Sequence, residues 1–148
     1  MRPLADLNGR QLVESALARP ADLLAVYQHE LERASPARRV ELLRAAGVAH
    51  REQRNLEASA ALLHEAHRHA IELDDAELTA LVTLSLSATV LYCGDAARAV
   101  ELIDAAVGDL TGDDRFVALC QRAGVLHRAG RVQAALIAFD DAFAARPA

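Results

Sequence analysis

Three histidines and two glutamates fall within the short segment from His64 to Glu72. Imidazole and carboxylate groups are ligands that zinc accepts in proteins. A helical zinc pair needs two histidines four residues apart on one face, whereas His64 and His67 are three apart and His69 faces another side. We interpret the segment as a solvated helix face, and a metal-dependent hydrolase built on these three histidines remains an alternative.

A second candidate for chemistry is the pair Cys120 and His127, a thiol and an imidazole on one predicted helix. Seven helical residues separate them by about 10.5 Å, whereas proton transfer needs about 3 Å. The sequence also has no glycine-rich phosphate loop. We therefore expect no catalytic residue, no metal and no cofactor, and we expect Cys93 and Cys120 to be free thiols.

Three turns show how the chain around these residues is organised. Arg54, Gly94 and Gly130 each stand between two apolar helical runs, at successive spacings of 40 and 36 residues. A period of about 34 residues is typical of stacked helix-turn-helix repeats. The chain is therefore predicted to be an array of helix pairs, an architecture that usually presents a binding surface.

Aligning the three turns also aligns residues of similar size before and after them. Three columns hold only small residues, which let helices approach closely, and one holds only large apolar residues, which fill the space between helices. We predict that Gly47, in the first small column, tolerates alanine but not leucine. The small columns are Gly47/Ser87/Ala123, Ser59/Ala99/Ala135 and Ala66/Ala106/Ala142, and the large column is Leu63/Ile103/Phe139.

This pattern resembles the tetratricopeptide repeat over about residues 37–146. The third unit matches best, since Ala129-Gly130-Arg131 is followed at the family's spacing by Ala135, Phe139 and Ala142. The resemblance implies an all-α fold, a right-handed αα-superhelix of about three repeats with an N-terminal helical cap. It places the cap at residues 1–36 and the repeats at about 37–73, 76–110 and 113–146.

Proline, glycine and paired aspartates mark where helices are expected to end. A strand competes with helix only at residues 81–87, where apolar and polar residues alternate. We predict helix there because the segment aligns with two other helical units. The helices are predicted near 10–18, 20–34, 37–52, 56–72, 76–92, 96–109, 114–128 and 132–145.

Composition limits the partners. The chain of 148 residues has a net charge of −5, which argues against nucleic-acid binding because that function needs a concentrated basic face. No stretch reaches the roughly 18 apolar residues of a membrane span, and the N-terminus lacks the apolar core of a secretion signal. We therefore predict no nucleic-acid partner, no membrane partner and a cytoplasmic location.

The family resemblance also implies a binding groove, because the first helix of each pair lines the inside of such superhelices. Its apolar middle and arginine flanks suit an extended or helical peptide with apolar anchors and an acidic group. Some family members clamp a terminal carboxylate from positions that here hold Arg44, Val48, Ser85, Val117 and Gln121. The predicted groove residues are Arg44, Val48, Arg51, Leu84, Ala88, Leu91, Tyr92, Cys120, Gly124, His127 and Arg128.

The last helix carries more apolar surface than one preceding helix covers, at Leu136, Ile137, Phe139 and Phe143. We predict that a partner, a second copy or further sequence covers this face, with a homodimer through the last helix as the version open to test. A self-associating scaffold is accordingly an alternative function.

A second resemblance concerns the alanine- and arginine-rich turns, such as residues 91–95 and 126–131. They look like those in the N-terminal arrays of bacterial multidomain proteins, including proteins that carry a CHAT peptidase. This resemblance implies a non-catalytic portion that holds or senses a partner. The hypothesis from sequence is thus a protein- or peptide-binding scaffold module within a larger bacterial assembly.

Overall fold

The computed structural model describes residues 2–148. Over these residues the chain forms one short 3₁₀ turn, Leu4–Asp6, and eight α-helices, with no strand. The helices are α1 (Gly9–Ala18), α2 (Pro20–Glu32), α3 (Pro36–Glu52), α4 (Leu56–Glu72), α5 (Ala76–Tyr92), α6 (Ala96–Val107), α7 (Gly112–Arg128) and α8 (Val132–Ala144).

The predicted all-α fold is confirmed, and every predicted helix is present with ends that agree to within two residues. Short-range signals explain this agreement. Asn8 and Gln11 form a reciprocal capping box at the start of α1, while Pro20 and Pro36 occupy the first turns of α2 and α3.

Residues 81–87, whose alternating apolar and polar residues were also compatible with a strand, lie inside α5. Apolar Val82 and Leu86 and polar Thr83 and Ser87 are all buried, so the alternation belongs to a helix enclosed on several sides. The hydroxyls are satisfied within the helix, because Thr83 Oγ1 donates to the Thr79 carbonyl at 2.8 Å and Ser87 Oγ to the Leu84 carbonyl at 2.7 Å.

The chain divides into two compact units, Met1–Leu78 and Thr79–Ala148, here called unit 1 and unit 2. In unit 1, α1, α2 and α4 each pack against α3. The predicted cap therefore shares one compact unit with the first predicted repeat. Its core includes Leu12, Leu23, Tyr27, Leu42, Ala46 and Val48.

Unit 2 has a core of its own, in which α7 packs against both α6 and α8. Alanine is frequent at these contacts, as the sequence columns predict, and the small side chains allow close helix packing. The core includes Leu84 of α5, Ala99 and Ile103 of α6, Ala118 and Val125 of α7, and Ala135 of α8.

The three aligned turns share one backbone geometry. Arg54, Gly94 and Gly130 all have left-handed φ, at 63°, 93° and 78°. In each turn the next residue's amide reaches back to a carbonyl of the preceding helix, for example Asn55 to His50 at 2.9 Å. This is a glycine-type helix end, so Arg54 adopts a conformation that costs an L-residue about 1–2 kcal/mol.

The small columns are buried in the structure, Gly47 among them. A Cβ at Gly47 would lie 2.6 Å from Cγ of Leu63 and 2.9 Å from its Cδ2. Cγ is the branch point of that side chain, so it cannot swing away as a flexible tip would. The prediction that Gly47 tolerates alanine is therefore corrected: α3 and α4 are in contact at this point without room for a methyl group.

Candidate functional site

The histidine cluster lies on α4, with His64 exposed and His67 and His69 half-buried. His69 lies between two carboxylates: Nε2 is 3.7 Å from Glu65 Oε1, and Nδ1 is 3.4 Å from Glu72 Oε2. Because the two carboxylates approach opposite nitrogens of the ring, they cannot join His69 around one ion. Among residues 2–148, no three His, Cys, Asp or Glu side chains converge closely enough to hold a metal.

His67 gives the cluster a measurable pH effect. Burial, and secondarily the neighbouring charge of His64, lowers the pKa of His67 below its ordinary 6.5. Between 6.5 and this lowered pKa, the unfolded chain binds a proton that the folded chain does not, so this contribution to stability is lost as pH falls through that window.

We expect the free energy of unfolding of His67→Gln to fall less than that of the parent between about pH 7.5 and about pH 5.5. Chemical denaturation at both pH values measures this change. His29→Gln, at an exposed histidine of α2, is the matched control and should keep the parental pH dependence. An unchanged slope in His67→Gln contradicts the prediction.

Cys93 and Cys120 are both free thiols, the first exposed and the second half-buried. Cys120 and His127 lie on the same helix, α7, two turns apart. A straight helix holds such residues about 10.5 Å apart, so the structure provides no thiol–imidazole pair here.

The predicted groove residues of unit 1 are mostly inaccessible. Val48 is only 1% exposed and belongs to the core, so its assignment to the groove is corrected. Its neighbours in the sequence, Ala45, Ala46 and Ala49, are buried too, which shows that this stretch of α3 is enclosed on several sides. The Arg51 side chain is 10% exposed, with Nε 3.5 Å from Glu52 Oε1. Arg44 is half-buried.

In unit 2 the structure separates the predicted groove residues of α5 into two groups. Leu84 is 5% exposed and packs in the core, so it is not an accessible anchor, and Leu91 packs partly against the same core. Ala88 is half-buried, whereas Tyr92 is exposed at the end of the helix. The Arg128 guanidinium carbon lies 6.0 Å from the centroid of the Tyr92 ring, at the limit of a cation–π contact.

The predicted groove residues of α7 share one face of that helix, as their spacing requires. This face is exposed or half-buried along its length, whereas Ala118 and Val125, on another side of the helix, are buried. No atom lies within 4 Å of a Cβ built on Gly124, so the middle of the face is open. The residues are Cys120, Gly124, His127 and Arg128, and Val117, one of the clamp positions, lies on the same face. We call this surface, together with Tyr92, the α7 face.

Gln121 is not part of this face. Its Nε2 donates to Ser87 Oγ at 2.7 Å and to the Leu84 carbonyl at 3.1 Å, and so links α7 to α5. The position that the resemblance assigns to a carboxylate clamp thus holds an amide engaged between two helices. No periodicity identifies this role, because it depends on which residue of α5 lies opposite.

The predicted self-association residues of α8 do not share one side. Leu136 and Phe143 are each more than half exposed and Phe139 is half-buried, and all three lie along one stripe. Ile137 is also exposed but lies on another side, since successive helix residues are about 100° apart. Val132 was not among the residues predicted for self-association, but it continues the stripe and is exposed. The Phe143 ring meets Phe116 of α7 edge-on, with centroids 5.9 Å apart.

The remaining concavities are shallow and lie elsewhere. One in unit 1, of about 300 Å³, is lined by Arg39, His69 and Glu72 among others, whose opposite charges largely compensate one another. One in unit 2, of about 260 Å³, is lined by Arg122, Asp104 and Asp141 among others. The concavity in unit 2 shares no residue with the α7 face.

Over residues 2–148, every helix is too short or too polar to cross a bilayer. Compared with known proteins, the chain matches no family model, no curated protein and no solved structure. The arrangement of its own side chains is therefore the basis for a functional conclusion.

Proposed function

We propose that this chain is a protein-binding module, a tetratricopeptide-like array that holds one peptide segment on the α7 face. The observation that carries the proposal is the exposure of that face. Val117 is more than half exposed and Gly124 leaves open space, although Ala118 and Val125 of the same helix are buried in the core. A surface with apolar groups and room for an entering side chain suits peptide recognition.

The charged end of the face supports an acidic group in the peptide. Arg128 lies in the last turn of α7 near the ring of Tyr92, so its charge is held beside an apolar surface. The chain as a whole carries a net charge of −5, which repels an acidic peptide from most of the surface. An acidic residue is therefore attracted locally, at Arg128.

The proposed site is restricted to unit 2. Val48 of unit 1 is buried and Arg51 nearly so, and neither offers an accessible group to a peptide. A place in a larger bacterial assembly belongs to the same proposal, because a module of this kind acts by holding a partner for another domain.

Selection from a displayed library of random peptides tests the proposal. Peptides are enriched on the parent chain and depleted on a Tyr92→Ala/Arg128→Glu variant. We expect the surviving sequences to share an apolar residue and a carboxylate. For one such peptide, Arg128→Glu should slow association and reduce its salt dependence, while Tyr92→Ala should raise the dissociation rate about tenfold.

The matched control is Arg115→Glu, because Arg115 is exposed on the same helix but away from the α7 face. It should leave both rate constants unchanged. If the selected peptides bind the double variant as tightly as the parent, the site is not on the α7 face. If no peptide is enriched, peptide binding itself is refuted.

A further inference from the structure

The exposed stripe of α8 has a covered counterpart within unit 2. The counterpart lies 36 residues earlier, on α6, at the same positions relative to the preceding turn. Both stripes follow the spacing i, i+4, i+7, i+11, which places four side chains along one side of a helix. The pairs are Ala96/Val132, Val100/Leu136, Ile103/Phe139 and Val107/Phe143.

Helix α7 packs against α6 and helps to cover this stripe, together with Leu84 of α5. Ala118 and Val125 of α7 share one core with Val100 and Ile103. Val100 is consequently 9% exposed, whereas its counterpart Leu136 is 57% exposed. The chain therefore contains an example of the kind of helix that fits such a stripe.

A charge pair fixes the side on which the covering helix lies. Arg122 of α7 donates from Nε to Asp104 Oδ1 of α6 at 2.6 Å. The residue of α8 that corresponds to Asp104 is Asp140, which is exposed beside the stripe. Both the apolar surface and the acidic group that α7 recognises on α6 are thus repeated on α8.

We propose that the α8 stripe docks one amphipathic helix of a partner protein. The docking side of that helix carries small or β-branched apolar residues and an arginine that pairs with Asp140. This surface uses residues other than the α7 face, so the inference goes beyond peptide binding there and does not depend on it.

Charge favours a partner helix over a second copy of the chain. Between Val132 and Ala144, α8 has two aspartates, Asp140 and Asp141, and no basic residue. Two copies of α8 packed through this stripe would add the carboxylate of Asp140 from each copy to the interface and no cation from either helix. Like charges brought together in this way oppose association. A partner helix that carries an arginine is instead attracted to Asp140.

A synthetic peptide with the sequence of α7, Gly112–Arg128, is the probe, because α7 covers the equivalent stripe on α6. It is titrated under reducing conditions into the intact isotope-labelled chain, and amide chemical shifts report where it binds. We expect saturable shifts centred on residues 132–143. Leu136→Glu should weaken binding at least tenfold.

Two controls make the test specific. Ile137→Glu alters an equally exposed residue on another side of α8 and should leave the affinity unchanged. Asp140→Arg should weaken binding of the peptide about fivefold, and a peptide carrying Arg122→Glu should restore it by reversing both charges.

The proposal is overturned if the peptide causes no shifts at millimolar concentration or shifts elsewhere, or if Ile137→Glu weakens binding as much as Leu136→Glu. Failure of the reversed pair to restore affinity overturns the pairing with Asp140. Light scattering tests the competing occupant: a concentration-dependent dimer that Leu136→Glu abolishes assigns the stripe to a second copy instead.

Discussion

Gly47→Ala is expected to leave this chain less stable than Gly124→Ala does, by about 1–3 kcal/mol. Both replace a glycine inside a helix of 17 residues, α3 or α7. Alanine favours the helix over glycine by about 1 kcal/mol in each case. Since this gain is common to both variants, the difference between them isolates the space available at each site.

The room for a methyl group differs between Gly47 and Gly124. At Gly47 the new methyl group would meet Leu63 Cγ at 2.6 Å, whereas at Gly124 nothing lies within 4 Å. Overpacking a closed contact costs about 1–3 kcal/mol. We therefore expect Gly124→Ala to raise the free energy of unfolding above that of the parent by up to about 1 kcal/mol. The free energy of unfolding of Gly47→Ala should lie about 1–3 kcal/mol below that of Gly124→Ala. Gly47→Leu should be worse still.

Chemical denaturation of the two alanine variants and the parent measures both effects. A further variant tests the cause, because Leu63→Ala removes the side chain that the methyl group meets. Leu63→Ala alone should cost about 2–5 kcal/mol, and in its presence Gly47→Ala should cease to be harmful. Equal stabilities for Gly47→Ala and Gly124→Ala would mean that α3 and α4 separate readily at this crossing.

The helices could be predicted from sequence because their ends are marked by neighbouring residues. Asn8 with Gln11, Pro20, Pro36 and the turn glycines act within a few positions of themselves. Even Arg54, which replaces a turn glycine, adopts the same left-handed geometry as Gly94. Alignment of the internal repeat identified this position although its residue type did not.

The side of each helix that faces solvent was harder to predict. Val48 and Leu84 are spaced as groove residues, yet both are buried, because α3 and α5 are apolar around much of their circumference. A periodicity argument needs a polar side to contrast with an apolar one. On α7 that contrast exists, and the residues between Val117 and Arg128 that were predicted to line a groove are exposed or half-buried.

Contacts between helices could not be predicted at the level of single groups. Helical spacing shows that Leu136, and not Ile137, continues the stripe with Val132, but only packing shows that Leu136 is 57% exposed whereas its counterpart Val100 is 9% exposed. The role of Gln121 likewise depends on the residue of α5 that lies opposite. The amino-acid sequence alone carries no signal that shows which residues of two helices meet.

Gln121→Glu is expected to destabilise unit 2 in a manner that depends on pH. The substitution keeps the shape of the side chain but removes the amide donor that serves Ser87 Oγ and the Leu84 carbonyl. Ser87 is fully buried, and its hydroxyl already donates to Leu84. A carboxylate at position 121 would thus face two oxygen atoms, at a cost of about 1–3 kcal/mol at neutral pH.

Protonation relieves that cost, because a neutral carboxyl group can donate again. The folded state therefore favours the protonated form and raises the pKa of the introduced carboxyl above the value of about 4.3 that it has in the unfolded chain. Below the unfolded pKa the penalty is absent, and it grows as pH rises through the folded pKa. The difference in unfolding free energy between variant and parent should accordingly be larger at about pH 7 than at about pH 4.5.

Denaturation of variant and parent at both pH values measures this difference, with two controls. Gln121→Met removes the hydrogen bonds without adding charge and should cost about 0.5–1.5 kcal/mol at either pH. Gln133→Glu adds the same charge at an exposed position of α8 and should have little effect. If Gln121→Glu loses the same stability at both pH values, the carboxyl group reaches solvent, and the amide of Gln121 is not an enclosed link between α5 and α7.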